Sequence, residues 1–204
     1  MIRSAPRDRP REGVQLDLFA MVLSRFVDRD WATAADYRVG MPLTYARGRW
    51  SAKVGYEHTS THLGDEFMAH TGTRIRGGIR EEVRFGLAYR VLDAVRLYGQ
   101  WGHAFHVSTF TPNPQPDRFD CGVEWSRPAP TGWRGQPFAA FDVEARGDAE
   151  YTPNVTAQAG WQWLAQNARP GFRSALEYYD GRAPFGQFLD RHESWFGFGF
   201  FFDY

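Results

Sequence analysis

The chain has 204 residues, enough for one domain with a sizeable core, and its 24 Lys plus Arg balance 24 Asp plus Glu. That zero net charge speaks against nucleic-acid binding, which usually shows a basic excess. Aromatics reach 17% although mean hydropathy is −0.52, and no window approaches the roughly 20 apolar residues of a spanning helix, so any membrane crossing would use strands.

The amino terminus, MIRSAPRDRPREG, is charged and Pro-rich and lacks the apolar stretch of a signal peptide. Residues 1–13 are therefore expected to be a flexible segment at the truncated start of an exported protein, and residues 14–204 a single β domain. Val14 to Phe26 reads as the first strand. Next, Tyr37, Val39, Met41 and Leu43 alternate with Asp36, Arg38 and Gly40. Trp50, Ala52, Val54 and Tyr56 then alternate with Ser51, Lys53, Gly55 and Glu57. Val83–Val91, Val95–Trp101, Phe119–Trp125, Ala139–Ala145 and Val155–Trp163 repeat the period of two, and two last segments start near Phe172 and His192. The total is about ten strands, each near the 9–11 residues of a tilted spanning strand.

The second face sets the class. It mixes Gly and Ala with Asp36, Arg38, Lys53, Glu57, Arg84, Arg90, Arg96, Asp120, Glu124, Asp142, Glu144, Arg146 and Glu177. Small residues beside charges of both signs suit the inside of a narrow barrel, where neighbouring strands neutralise one another. A soluble antiparallel sandwich with a wet polar face is the alternative. The expected fold is an all-β, antiparallel transmembrane β-barrel. With the carboxy terminus in the periplasm, Tyr45–Arg49, Leu92–Ala94, Arg127–Trp133 and Ala165–Gly171 become short periplasmic turns. Thr61–Gly78, Ser108–Asp117 and Asp180–Arg191 become longer outer loops. The single cysteine, Cys121, excludes an internal disulfide.

In the closing segment Phe196, Phe198, Phe200, Phe202 and Tyr204 share one face. Trp195–Tyr204 resembles the carboxy-terminal signal by which outer-membrane barrels engage their assembly machinery. Over nearly the whole chain, YRVGMPLTYARGRW, GYEHTSTHLGDEF, VRLYGQWG, GQF and the ending FFDY resemble an uncharacterised family of bacterial outer-membrane proteins, domain of unknown function 1207. The resemblance implies an outer-membrane barrel without an assigned activity. It also implies chain upstream of Met1, giving 12 strands in the full-length protein.

The densest reactive cluster is GYEHTSTHLGDEF, Gly55 to Phe67. Residues two apart on a strand share a face, so His58 and Ser60 lie together on the lipid-facing side. Tyr56-x-His58-x-Ser60 is similar to the active-site strand of outer-membrane phospholipase A, and lipid A deacylases also carry His-x-Ser. The Asn-Gly that follows in the phospholipases is Thr61-His62 here. On that resemblance Ser60 would be a nucleophile and His58 its base, with Glu81, in the register of Val83, orienting the imidazole. A metal alternative uses His62, Asp65 and Glu66: oxygen ligands suit Ca²⁺, histidines suit zinc, and the barrel reading itself requires no cofactor. His103 and His106 are expected on opposite faces of their strand. Three functions follow: a structural or binding barrel in contact with outer-membrane lipid and lipopolysaccharide, a lipid-directed ester hydrolase, or a narrow passive channel.

Overall fold

Period-two alternation governs the structure, a computed structural model that describes residues 2–4, 12–27, 31–75, 78–108, 114–131, 135–163 and 171–203. Among these residues twelve strands form one antiparallel sheet. In chain order they are β1 (Ile2–Ser4), β2 (Gly13–Leu16), β3 (Phe19–Val27), β4 (Trp31–Arg47), β5 (Trp50–Leu63), β6 (Ile79–Leu92), β7 (Val95–Ser108), β8 (Asp117–Ser126), β9 (Gln136–Arg146), β10 (Pro153–Trp163), β11 (Gly171–Arg182) and β12 (His192–Asp203). A short helix, α1 (Asp65–Thr71), lies between β5 and β6. From β4 onward each strand pairs with the next in sequence.

The expected strands are all present, with two departures near the amino terminus. The first expected strand is broken into β2 and β3, which pair with the same side of β4. Pro42 is the cause: its carbonyl accepts from Asp17 N at 3.0 Å, but it has no N–H to return the bond, so the ladder lapses at Asp17–Leu18. Within the segment expected to be flexible, Ile2–Ser4 pairs with Val14–Leu16 on the free edge of β2. Residues 1, 5–11, 28–30, 76–77, 109–113, 132–134, 164–170 and 204 lie outside the described residues, and with them most of the expected Ala165–Gly171 turn and part of the expected Arg127–Trp133 turn.

The sheet is curled. Seven strand steps separate β4 from β11, which in a flat sheet would be roughly 30 Å or more. Yet Gly186 N, in the β11–β12 connection, donates to Asp36 Oδ2 on β4 at 2.9 Å. That connection folds inward over the end of the sheet where α1 lies. There Phe185 and Phe188 pack with Ala34, Leu63 and Ala183, and Phe67 of α1 meets Phe188 edge-on. Among the described residues no ladder joins β12 back to β2 or β3, so the expected barrel is left open along one seam. An Arg25–Glu193 ion pair bridges the seam at its helix end.

The distribution of side chains is inverted relative to a water-soluble sandwich. On the outer face Phe196 is 84% exposed, and Phe26 and Leu176 are each 65% exposed. On the enclosed face Glu82 is 1% exposed and Arg80 and Arg118 are each 4% exposed. Exposed apolar residues occur singly on any protein, but whole strand faces of them do not.

Candidate functional site

The alternation that sends Tyr56, His58 and Ser60 outward on β5 continues across the ladder. His58 is the direct cross-strand partner of Glu81 on β6, and Glu81 is the partner of His106 on β7. Direct partners share a face, so these three side chains form a row on the outer face near the helix end of the sheet. His58 Nδ1 lies 3.3 Å from Glu81 Oε1, and Tyr56 OH donates to the same oxygen at 3.5 Å. Both His58 and Glu81 are partly open to the surroundings.

Ser60 is one outward position further along β5, between Tyr37 and Ile79 on the neighbouring strands. The structure thus brings His58 and Glu81 into contact and puts Ser60 on their face. Among the described residues no hydrogen bond joins Ser60 to His58. A carboxylate on Nδ1 holds the imidazole with its proton there, leaving Nε2 as the acceptor that a nucleophilic hydroxyl would need.

The metal candidates are dispersed. His62 is exposed and presents an edge contact with Tyr37, ring centroids 5.6 Å apart. Asp65 and Glu66 sit in the first turn of α1, where acidic side chains complement the helix dipole. His70 Nδ1 lies 2.8 Å from the Glu66 carbonyl, and its ring stacks on Trp31. Among the described residues no three His, Cys, Asp or Glu side chains are grouped closely enough to hold a metal ion.

His103 and His106 correct an expectation. They were expected on opposite faces, but the register shifts in β7: Glu81 pairs with His106 and Glu82 with Ala104, leaving Phe105 as a bulge. One extra residue reverses the parity beyond it, so His103, Phe105 and His106 are all exposed. His103 Nδ1 meets Asp117 Oδ1 at 2.9 Å.

The enclosed face holds a charge cluster that the sequence reading found only in part. Arg84 donates to Glu57 at 3.2 Å and to Asp120 at 2.6 Å. Arg118 contacts Glu82 at 3.2 Å and also holds Glu144. Arg80 Nε donates to Glu82 at 2.7 Å, and Arg38 Nε lies 3.2 Å from Glu57. Arg38, Arg80, Arg84, Arg118, Glu57, Glu82, Asp120 and Glu144 thus each have an opposite partner, which is the condition under which such charges are tolerated away from water. Arg80, Glu82 and Arg118 lie just before the apolar alternations that begin at Val83 and Phe119, where the flanking positions are polar on both faces. Extending the period of two by two or three residues would have found them.

A family model described as a protein of unknown function (DUF1207) matches residues 13–204. No curated protein and no solved structure matches the chain.

Proposed function

The chain belongs to the DUF1207 family, whose function is unknown, and on that premise we propose that it is an integral outer-membrane β-barrel with a structural or binding role and a lumen filled by side chains. The observation that carries this reading is the inversion of the two faces. Ordering Phe196, Phe198, Phe200 and Phe202 outward, all more than 60% exposed, is unfavourable in water, at about 25 cal/mol per Å² of apolar surface. In hydrocarbon the same surface is matched to its solvent, and the enclosed cluster sets charges of opposite sign against one another. The aromatic strand β12 fits recognition by the barrel-assembly machinery, and lipid and lipopolysaccharide would be the partners of the outer face. The test is tryptophan quenching in proteoliposomes. Trp50, Trp101 and Trp125, each at least 40% exposed, should be quenched by bromine-labelled acyl chains. Fluorescence insensitive to the bromine label would sink the proposal.

The His58–Glu81 contact favours a second reading, a lipid-directed ester hydrolase. In it His58 Nε2 takes the proton of Ser60 as Oγ attacks an acyl ester carbonyl, and Glu81 stabilises the imidazolium that forms. The alcohol leaves with the proton returned by His58, and water then releases the acyl group from Ser60 by the same route. Purified protein should release fatty acid from phospholipid or lipopolysaccharide, and Ser60→Ala should lower that rate by about three orders of magnitude or more. Equal, background-level release by both proteins would end this reading.

A further inference from the structure

The two halves of the enclosed face differ in how their charges are paired. Towards the helix end, each arginine of the cluster meets carboxylates. Towards the other end, where the Gly48–Arg49 turn joins β4 to β5, Lys53 and Arg90 contact no carboxylate among the described residues, while Asp142 accepts from the Tyr98 hydroxyl at 2.6 Å and Glu177 meets Gln158. Lys53 points into this half, and among the described residues its hydrogen-bond partner is the neutral Gln100, 2.5 Å from Nζ. Glu57 and Asp120, the carboxylates whose charge reaches Lys53, are already held by Arg84 and Arg118.

Arg90 and Arg96 sharpen the difference. They are direct cross-strand partners on the enclosed face, like charge opposite like charge, a pairing that destabilises a ladder. Arg96 is compensated by Glu124 at 2.7 Å, whereas Arg90 donates to a carbonyl, that of Asp93, at 3.3 Å. Among the described residues Lys53, Arg90 and Arg96 therefore contact one carboxylate, Glu124. They border two adjoining open cavities of about 100 and 110 Å³, which have Ser51, Ala88 and Arg96 in common. Gly86 contributes to the room: a Cβ there would stand 3.2 Å from Gln100 Cγ and 3.4 Å from Lys53 Cε.

We propose that this turn-end half is a binding site for a small, free phosphate-class oxyanion, held by Lys53, Arg90 and Arg96. Ammonium and guanidinium groups supply charge-assisted donors of the kind that recognise such oxygens. Thr44 and Ser51 add hydroxyls to the same wall. The anion would relieve the Arg90–Arg96 repulsion and give Lys53 a counter-charge. The site does not depend on the hydrolase reading, whose residues lie on the opposite face of the sheet.

The experiment is calorimetric titration of inorganic phosphate into the full chain in non-ionic detergent, at fixed chloride concentration and neutral pH. Wild type should bind saturably, Lys53→Gln and Arg96→Gln should each weaken binding about tenfold or more, and Arg38→Gln, in the other half, should bind as wild type does. A second titration uses micelles doped with phosphatidylglycerol. Binding of that lipid alone, still lost with Lys53→Gln, would overturn the free anion in favour of a headgroup. Absence of saturable phosphate binding in wild type, or equal affinity in the Lys53 and Arg96 variants, would overturn the site.

Discussion

Asp148 shows how one side chain's chemistry depends on its neighbours. It lies just past β9 in a short 3-10 turn, 3% exposed. Burial alone would raise its pKa, but Arg146, which donates to it twice at 3.0 and 2.7 Å, with Arg80 and Arg118, holds the carboxyl below its ordinary 3.8. A depressed folded-state pKa means the stabilisation is fully present above the unfolded value. It is lost as pH falls through 3.8 towards the folded value. Thermal unfolding scanned downward from neutral pH should therefore show a loss of stability below pH 3.8 that is smaller in Asp148→Asn. At neutral pH that variant should already be less stable by about 2 kcal/mol, the range for hydrogen bonds to charged groups. Identical acid profiles for the two proteins would refute the assignment. That His58 and Glu81 share the outer face was legible beforehand from the parity of two adjacent strands, but their direct pairing was not, because the long connection between β5 and β6 leaves the register open. The partners of Asp148 were not, since a turn residue carries no parity.

At the scale of elements, local irregularities decided what periodicity could not. Pro42 interrupts the pairing of β4 with β2 and β3, and Leu18, at the break, is 79% exposed. Replacing the proline restores an N–H facing the Asp17 carbonyl. Pro42→Val should stabilise the sheet by about 1 kcal/mol, the net worth of one hydrogen bond. The check is amide hydrogen exchange, which should slow around Asp17–Leu18. Unchanged exchange there would show that the break has another cause. The Phe105 bulge acts in the opposite direction, placing His106 beside Glu81 on the outer face. A proline is visible in sequence but which strand edge it faces is not, and a bulge leaves no mark in an alternation that is already frayed by Phe105-His106.

At the scale of the molecule, two obstructions lie in series along the enclosed face. The β11–β12 connection covers the helix end, tied by Gly186 to Asp36 and by Gln187 to the Thr61 carbonyl. Beneath it lies the layer built from Arg84, Arg118, Glu57, Glu82 and Asp120. If the seam closes in a bilayer, the protein should be silent in single-channel recordings. A double replacement of Arg118 and Glu82 by Ala, combined with deletion of Ala183–Arg191, should admit a measurable current. Steady conductance in wild type would show that the charged layer is not a plug.

By itself the sequence determined most of the strands and the two faces, because both are written in a period of two, and its motifs carried the resemblance to the family whose model matches residues 13–204. It determined that charge would be enclosed and aromatics turned outward, since every strand repeats the same division. Only the tertiary structure decided which arginine meets which carboxylate, that the β11–β12 connection folds inward onto β4 and β5, and that Lys53 and Arg90 meet neutral acceptors at the turn end. Those outcomes depend on how tightly the sheet curls and on where neighbouring strands stand in register. Curl and register are set by the whole set of ladders and loops together, and no single stretch of chain encodes them.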